Sequence, residues 1–229
     1  MSIETKNPLG EQPVNRLLSQ FAIPSIISML VGSLYNIVDQ FFIGQRVGEL
    51  GNAATNIAFP LSTSCLALAL LIGIGGSSAF NLAMGSGDDK KAVHLLGNAV
   101  VLLAGSGLFL SIITFLFLKP LLLFFGSPKA VLPFAIEYTK VTAFGFPFLL
   151  LGTGGGHLIR ADGRPRMTMV CNLIGAVINT VLDALFVFGL NLGMTGAALA
   201  TVIGQMVSGI MAIICLMHGK TVSIHKEHL

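Results

Sequence analysis

Residues 17–43 read LLSQFAIPSIISMLVGSLYNIVDQFFI, with no Lys, Arg, Glu or His and a single carboxylate at Asp39. A helix needs about 20 apolar residues to cross a bilayer, and this run exceeds that length. It is too long, and its flanks are too polar, for a cleaved signal peptide. A carboxylate in the middle of a span costs about 3 kcal/mol, so Asp39 faces a cavity or a partner rather than lipid. The stretch therefore predicts a helical membrane protein with a polar interior.

Five further runs of this kind follow: Ala53–Met84, Ala92–Leu118, Val131–Leu158, Met167–Phe188 and Met194–Met217. Hydrophobic residues make up 54 % of the chain and charged residues 10 %, against roughly 25 % charged in a soluble domain. The mean hydropathy is +0.86. Period-2 alternation is absent, which argues against a transmembrane barrel. The expected class is an all-α polytopic membrane protein. Residues 1–16 read as a cytoplasmic N-terminal segment, 17–217 as a six-helix lobe, and 218–229 as a cytoplasmic tail or the start of a linker.

Lys6, Arg16, Lys90, Lys91, Arg160, Arg164, Arg166, Lys220 and Lys226 fall on one side of these spans. Only Arg46, Lys119, Lys129 and Lys140 fall on the other. By the positive-inside rule both termini are cytoplasmic, in a plasma membrane. The net charge of +3 is then a topology signal and calls for no nucleic-acid partner. Cys65, Cys171 and Cys215 lie in apolar runs without metal-binding spacing and read as buried thiols.

Local signals punctuate the runs. Asp88 is placed to cap the third helix, and Asp89 to favour its positive end. Gly126-Ser127-Pro128 makes a turn, and Pro165 suits the first turn of the fifth helix. Pro24, Pro60 and Pro147 each interrupt a span. Pro24 shares a helix with Asp39 and is the candidate hinge. Gly196, Ala200, Gly204 and Ser208 form a small-residue stripe that lets another helix approach closely. The Gly73–Gly76 and Gly152–Gly156 runs follow no strand, so they do not read as nucleotide-binding loops.

A second intramembrane carboxylate, Asp183, completes a polar constellation. Tyr35 and Asp39 are four residues apart and share a face, which Gly32 and Ser28 extend. Asn172, Gly175, Asn179 and Asp183 form a matching stripe on the fifth helix. Thr201, Gln205 and Ser208 supply a third. Asn36 is a further candidate for the cavity lining. At 1.5 Å rise per residue, Asp39, Asp183 and Thr201 should lie roughly 8–12 Å below the outer surface, in one pocket. Two carboxylates together in low dielectric resist ionising together, so a proton could bind between them and leave again, removing and restoring one of the two charges. Asp39, Asn179, Asp183 and Thr201 also offer hard oxygens that would suit sodium. The residues alone leave proton and sodium open. Asn56, Ser62, Thr63, Ser77, Ser78 and Asn81 of the second helix read as interhelical hydrogen-bonding groups. His157 and Arg160 suit the negative end of the fourth helix, and Glu137 an outer rim.

Asn36-Ile37-Val38-Asp39-Gln40-Phe41-Phe42-Ile43-Gly44, followed by Ala58-Phe59-Pro60, resembles the opening signature of the multidrug and toxic compound extrusion (MATE) transporters. Ile159–Pro165 is similar to their loop between the fourth and fifth helices, and Gly193–Thr201 to the start of their sixth helix. The resemblance runs from about Leu17 to Met217. It implies an antiporter, not an enzyme and without a cofactor, that exports organic, often cationic, compounds against protons or sodium. In proton-coupled prokaryotic members the site residues correspond to Tyr35, Asp39, Asn179, Asp183 and Thr201, and the bending proline to Pro24. The family has twelve helices in two lobes, whereas this chain carries the helices of one. A second six-helix lobe is therefore the expected partner. It would be the C-terminal half of a longer protein, the product of a split gene, or a homodimer mate; the first is the expectation.

Other readings make different demands. A lipid-linked oligosaccharide flippase would call for a more cationic cavity. An intramembrane aspartyl protease would pair Tyr-Asp with Gly-x-Gly-Asp, but Asp39 follows Val38, and Asp183 follows Val181-Leu182. An inactive half-transporter would keep the polar stripes without using them.

Overall fold

The computed structural model describes residues 13–219. It consists of six long helices: α1 (Val14–Arg46), α2 (Glu49–Gly85), α3 (Asp89–Leu116), α4 (Leu132–Ala161), α5 (Pro165–Asp183) and α6 (Gly193–Met217). A π-helical segment, Ala184–Gly189, continues α5. Six helices are long and apolar enough to cross a membrane, counting α5 with its π segment as one. The chain is an all-α, multi-pass membrane protein with the fold of one six-helix lobe. Residues 1–12 and 220–229, which carry most of the expected N-terminal segment and tail, lie outside the described residues.

Several ends form as their residues dictate. Asp88 Oδ1 accepts a hydrogen bond from the Lys91 amide at 3.0 Å, capping α3, and Asp89 occupies its first turn. Pro165 opens α5, where a missing N–H costs nothing. Gly126 and Gly163 take positive φ (+84° and +77°) in the turns that follow the third and fourth spans. One boundary differs from expectation. The third run does not simply end at Leu118; the chain turns there into a short helix, Leu118–Phe124, whose Leu122 is buried in a cluster with Val131 and Ala135.

α4 is the central post, packed against α2, α3 and α6. Glycine makes the approach close. A Cβ on Gly73 of α2 would lie 2.8 Å from the Gly154 Cα of α4. One on Gly107 of α3 would lie 2.5 Å from the Pro147 Cα. Leu96, Leu103, Phe146, Leu150 and Leu158 fill the core around these contacts. The small-residue stripe of α6 does what its spacing implies. A Cβ on Gly204 would meet the Gly175 carbonyl of α5 at 2.8 Å, and one on Gly196 would meet the Phe186 backbone carbon at 3.1 Å.

α1 is held differently. It leans on α5, makes small contacts with α2, α6 and the π segment, and exposes Met29, Leu34, Ile37 and Phe41. The helix runs unbroken through Pro24, which is buried. On α2 the expectation of interhelical hydrogen bonding fails for Asn56, Thr63, Ser78 and Asn81. All four are exposed along the outside of that helix, because the small residues of the opposite face, not the polar ones, meet α4.

Candidate functional site

The site is assembled by three helices that meet near the α5–α6 turn. α1 supplies Tyr35 and, one turn later, Asp39. α5 supplies Asn179 and Asp183 with the same four-residue spacing, and α6 supplies Thr201. Asp39 is 6 % exposed, Asn179 3 % and Asp183 0 %, so the polar groups are turned wholly inward. The two carboxyl groups are close neighbours across the α1–α5 contact. The Asn179 amide Nδ2 donates to Thr201 Oγ1 at 3.4 Å.

Asp39 Oδ1, both carboxylate oxygens of Asp183 and Asn179 Oδ1 have no donor among the described residues. Four buried acceptors in one place cannot all be left bare, since each unsatisfied buried polar group costs about 1–3 kcal/mol and a charged one more. A proton shared between the carboxylates removes part of that cost, and a small cation removes it by coordination. The donor set is all hard oxygen, as sodium prefers.

Beside the carboxylate pair lies a cavity of about 190 Å³. Ser28, Tyr35, Asn172, Asn179, Thr201 and Gln205 are among its walls, with Phe148 of α4 as an aromatic face. Asp39 and Asp183 do not line it; each stands one turn beyond a residue that does, Tyr35 and Asn179. Of the cavity residues expected from sequence, Ser28, Asn172 and Gln205 are in place. Asn36 is not: it is exposed, and its amide donates to the Gly32 carbonyl at 2.8 Å. Its position one residue beyond Tyr35 carries it off the cavity face. Gln205 Oε1 is buried without a donor.

Three features escaped the sequence reading. Tyr138 of α4 stands close to Thr201, Asp39, Tyr35 and Asp183. The available signal was compositional: the chain has two tyrosines, and both are here. The second is the π segment immediately after Asp183, where Leu190 N bonds the Leu185 carbonyl at 2.9 Å. Such wide turns cluster at functional sites, and no residue pattern marks this one. The third concerns Arg164, read from sequence as part of a basic loop. Its Nε pairs with Asp162 Oδ2 at 2.7 Å, while Nη2 and Nη1 donate to the Cys215 and His218 carbonyls at 2.7 and 3.1 Å. It thereby closes the C-terminal end of α6.

The flanking groups hold the frame. Glu137 accepts from the Thr195 amide at 3.1 Å and from its hydroxyl, capping the start of α6 from α4. Arg46 at the end of α1 donates to Asn191 in the α5–α6 turn. His157 and Arg160 end α4 and touch each other at 3.4 Å. Cys171 and Cys215 are free buried thiols 3.9 Å apart.

Known proteins share both sequence and fold with this chain. The "Multidrug export protein MepA" of Staphylococcus haemolyticus is 26 % identical over 219 residues, covering 95 % of this chain and 48 % of the relative. An "FAD transporter" of Shewanella oneidensis is 29 % identical over 210 residues, covering 90 % and 46 %. A crystal structure of a MATE in a bent conformation superposes with a TM-score of 0.84 at 27 % identity, covering 93 % of this chain and 48 % of that one. The chain thus spans about half the length of the relatives it matches, which are transport proteins rather than enzymes. Residues 24–185 match the MatE family model, a span that runs from Pro24 within α1 past the end of α5 and holds both buried aspartates. The chain belongs to the MatE family.

Proposed function

We propose that this chain is the ion-coupling lobe of an efflux antiporter that exports organic cations across the plasma membrane, with both termini cytoplasmic. The observation that carries the reading is the neighbouring pair Asp39 and Asp183, whose unsatisfied oxygens adjoin a cavity. A bound proton or sodium ion cancels one of the pair's two negative charges. An empty pair returns the charge that attracts a cationic substrate or the next coupling ion. Tyr35, Asn179 and Thr201 form the polar wall between the carboxylates and the cavity. Pro24 serves as the hinge by which α1, attached chiefly to α5, moves when the occupancy of Asp39 changes.

The cavity favours a cationic substrate over an anionic one such as a flavin dinucleotide. Its walls carry no Lys or Arg, and two buried carboxylates stand one turn beyond them. A second six-helix lobe is the proposed partner. Support comes from the polar stripe of Asn56, Thr63, Ser78 and Asn81 on the exposed side of α2, which suits a watered cleft rather than lipid.

The test uses the assembled transporter, this lobe with its partner, in vesicles under an imposed ion gradient. Asp39→Asn is expected to abolish efflux of a fluorescent organic cation. Wild-type flux in that variant would sink the coupling assignment. Imposing proton and sodium gradients in turn names the ion.

A further inference from the structure

At the basic end of the molecule α1 and α5 part around a second cavity, about 520 Å³, that shares no residue with the first. Arg16, Ser19 and Gln20 line it from the first turns of α1. Arg164 and Arg166 line it from the start of α5, and Ile23, Pro24 and Met167 form an apolar wall. Three guanidinium groups face this space, and no carboxylate is among its walls.

Arg164 is already engaged in closing α6. Arg16 and Arg166 are exposed, and neither has a carboxylate partner among the described residues. The first turn of α5 adds to the same field. It carries no acidic residue and no side-chain cap, and Arg166 occupies a place where an anion would be favoured. Among the described residues no anion answers this arrangement.

Size and polarity narrow the class. A free phosphate would fill only a fraction of the cavity and would leave its apolar wall wet. Ile23 and Met167 are 55 % and 40 % exposed, at the level where the helices enter the apolar layer. A ligand with an anionic head and an apolar stem satisfies both halves. We propose that this cavity binds the phosphate headgroup of an anionic membrane phospholipid. Arg16 and Arg166 hold the phosphate bidentately, and the glycerol and upper acyl chain lie along Ile23 and Met167. The site joins the first turns of α1 to α5 on the near side of Pro24, and it stands whether or not the transport reading does.

The experiment measures lipid retained by the purified 229-residue chain in neutral detergent, by native mass spectrometry, during titration with phosphatidylglycerol, phosphatidylcholine or inorganic phosphate. Retention of phosphatidylglycerol over phosphatidylcholine is expected. The double variant Arg16→Gln/Arg166→Gln should weaken phosphatidylglycerol binding about thirtyfold, at about 1 kcal/mol per arginine. Arg16→Lys/Arg166→Lys should keep the preference. If the glutamine variant folds poorly, Ile23→Gln gives a second reading, lowering lipid retention while leaving the response to phosphate unchanged. Equal retention of the two lipids, undiminished phosphatidylglycerol binding in the glutamine variant, or binding of inorganic phosphate alone would each overturn the proposal.

Discussion

α4 and α1 are both long apolar helices with a proline inside, yet one is a post and the other a strut. Pro147 of α4 is pressed against α3 so closely that Gly107 has no room for a methyl group. α1, which carries Pro24, has α5 on one side and little else. A proline frees a backbone carbonyl wherever it occurs. Whether that becomes a static bend or a movable joint depends on what is packed around it. The glycines of α2, α3 and α4 fix one half of the molecule, and the sparse packing of α1 leaves the other able to respond.

This contrast can be broken most forcefully at α3. Gly107→Leu must drive α3 away from α4 and should destabilise the protein by about 3 kcal/mol. Gly105→Leu, two residues away with nothing within 4 Å of its built Cβ, should be near neutral. Thermal unfolding in detergent compares the two, and equal losses would show that the post is less rigid than described. Next comes the cap on α6. Glu137→Ala removes the acceptor of the Thr195 amide and should cost about 1 kcal/mol. A change confined to α4, without fraying of α6 in hydrogen exchange, would contradict that account.

Arg46→Ala lies at the small end of the scale. The pair with Asn191 is exposed, so unfolding should shift by less than about 0.5 kcal/mol. Amide exchange at the end of α1 should nevertheless rise, because this is one of few ties on that helix. Pro24→Ala sharpens the comparison without an expected loss of stability. Spin labels at the two ends of α1 should report a narrower distance distribution in the variant, whereas Pro147→Ala should leave the corresponding distribution of α4 unchanged.

The legible parts of this molecule are those set by one helix at a time. The six spans, the cap at Asp88 and the first turn at Pro165 follow from hydropathy and backbone chemistry within a few residues. The meeting of Asp39 with Asp183 was legible for a related reason: a costly carboxylate in each span demands a partner, and matched depth supplies one. Tyr138 was hidden because its span carries no polar stripe around it, so only the packing of α4 brings it to Thr201. Asn36 erred the other way, as a polar residue adjacent in sequence but turned off the face. The exposed groups of α2 were misread because hydrogen bonding within the bundle was assumed where close glycine contact had taken the interface.

The pairing of Asp39 with Asp183 also bears on how the protein is made. α1 leaves the ribosome first and brings its carboxyl group into the membrane long before α5 exists to receive it. Tyr138 arrives only with α4, Asp183 with α5 and Thr201 with α6. The first helix must therefore wait at the insertion machinery, or in a shallow position, and dock late against α5. Its thin attachment in the finished structure is what a last-arriving element would leave.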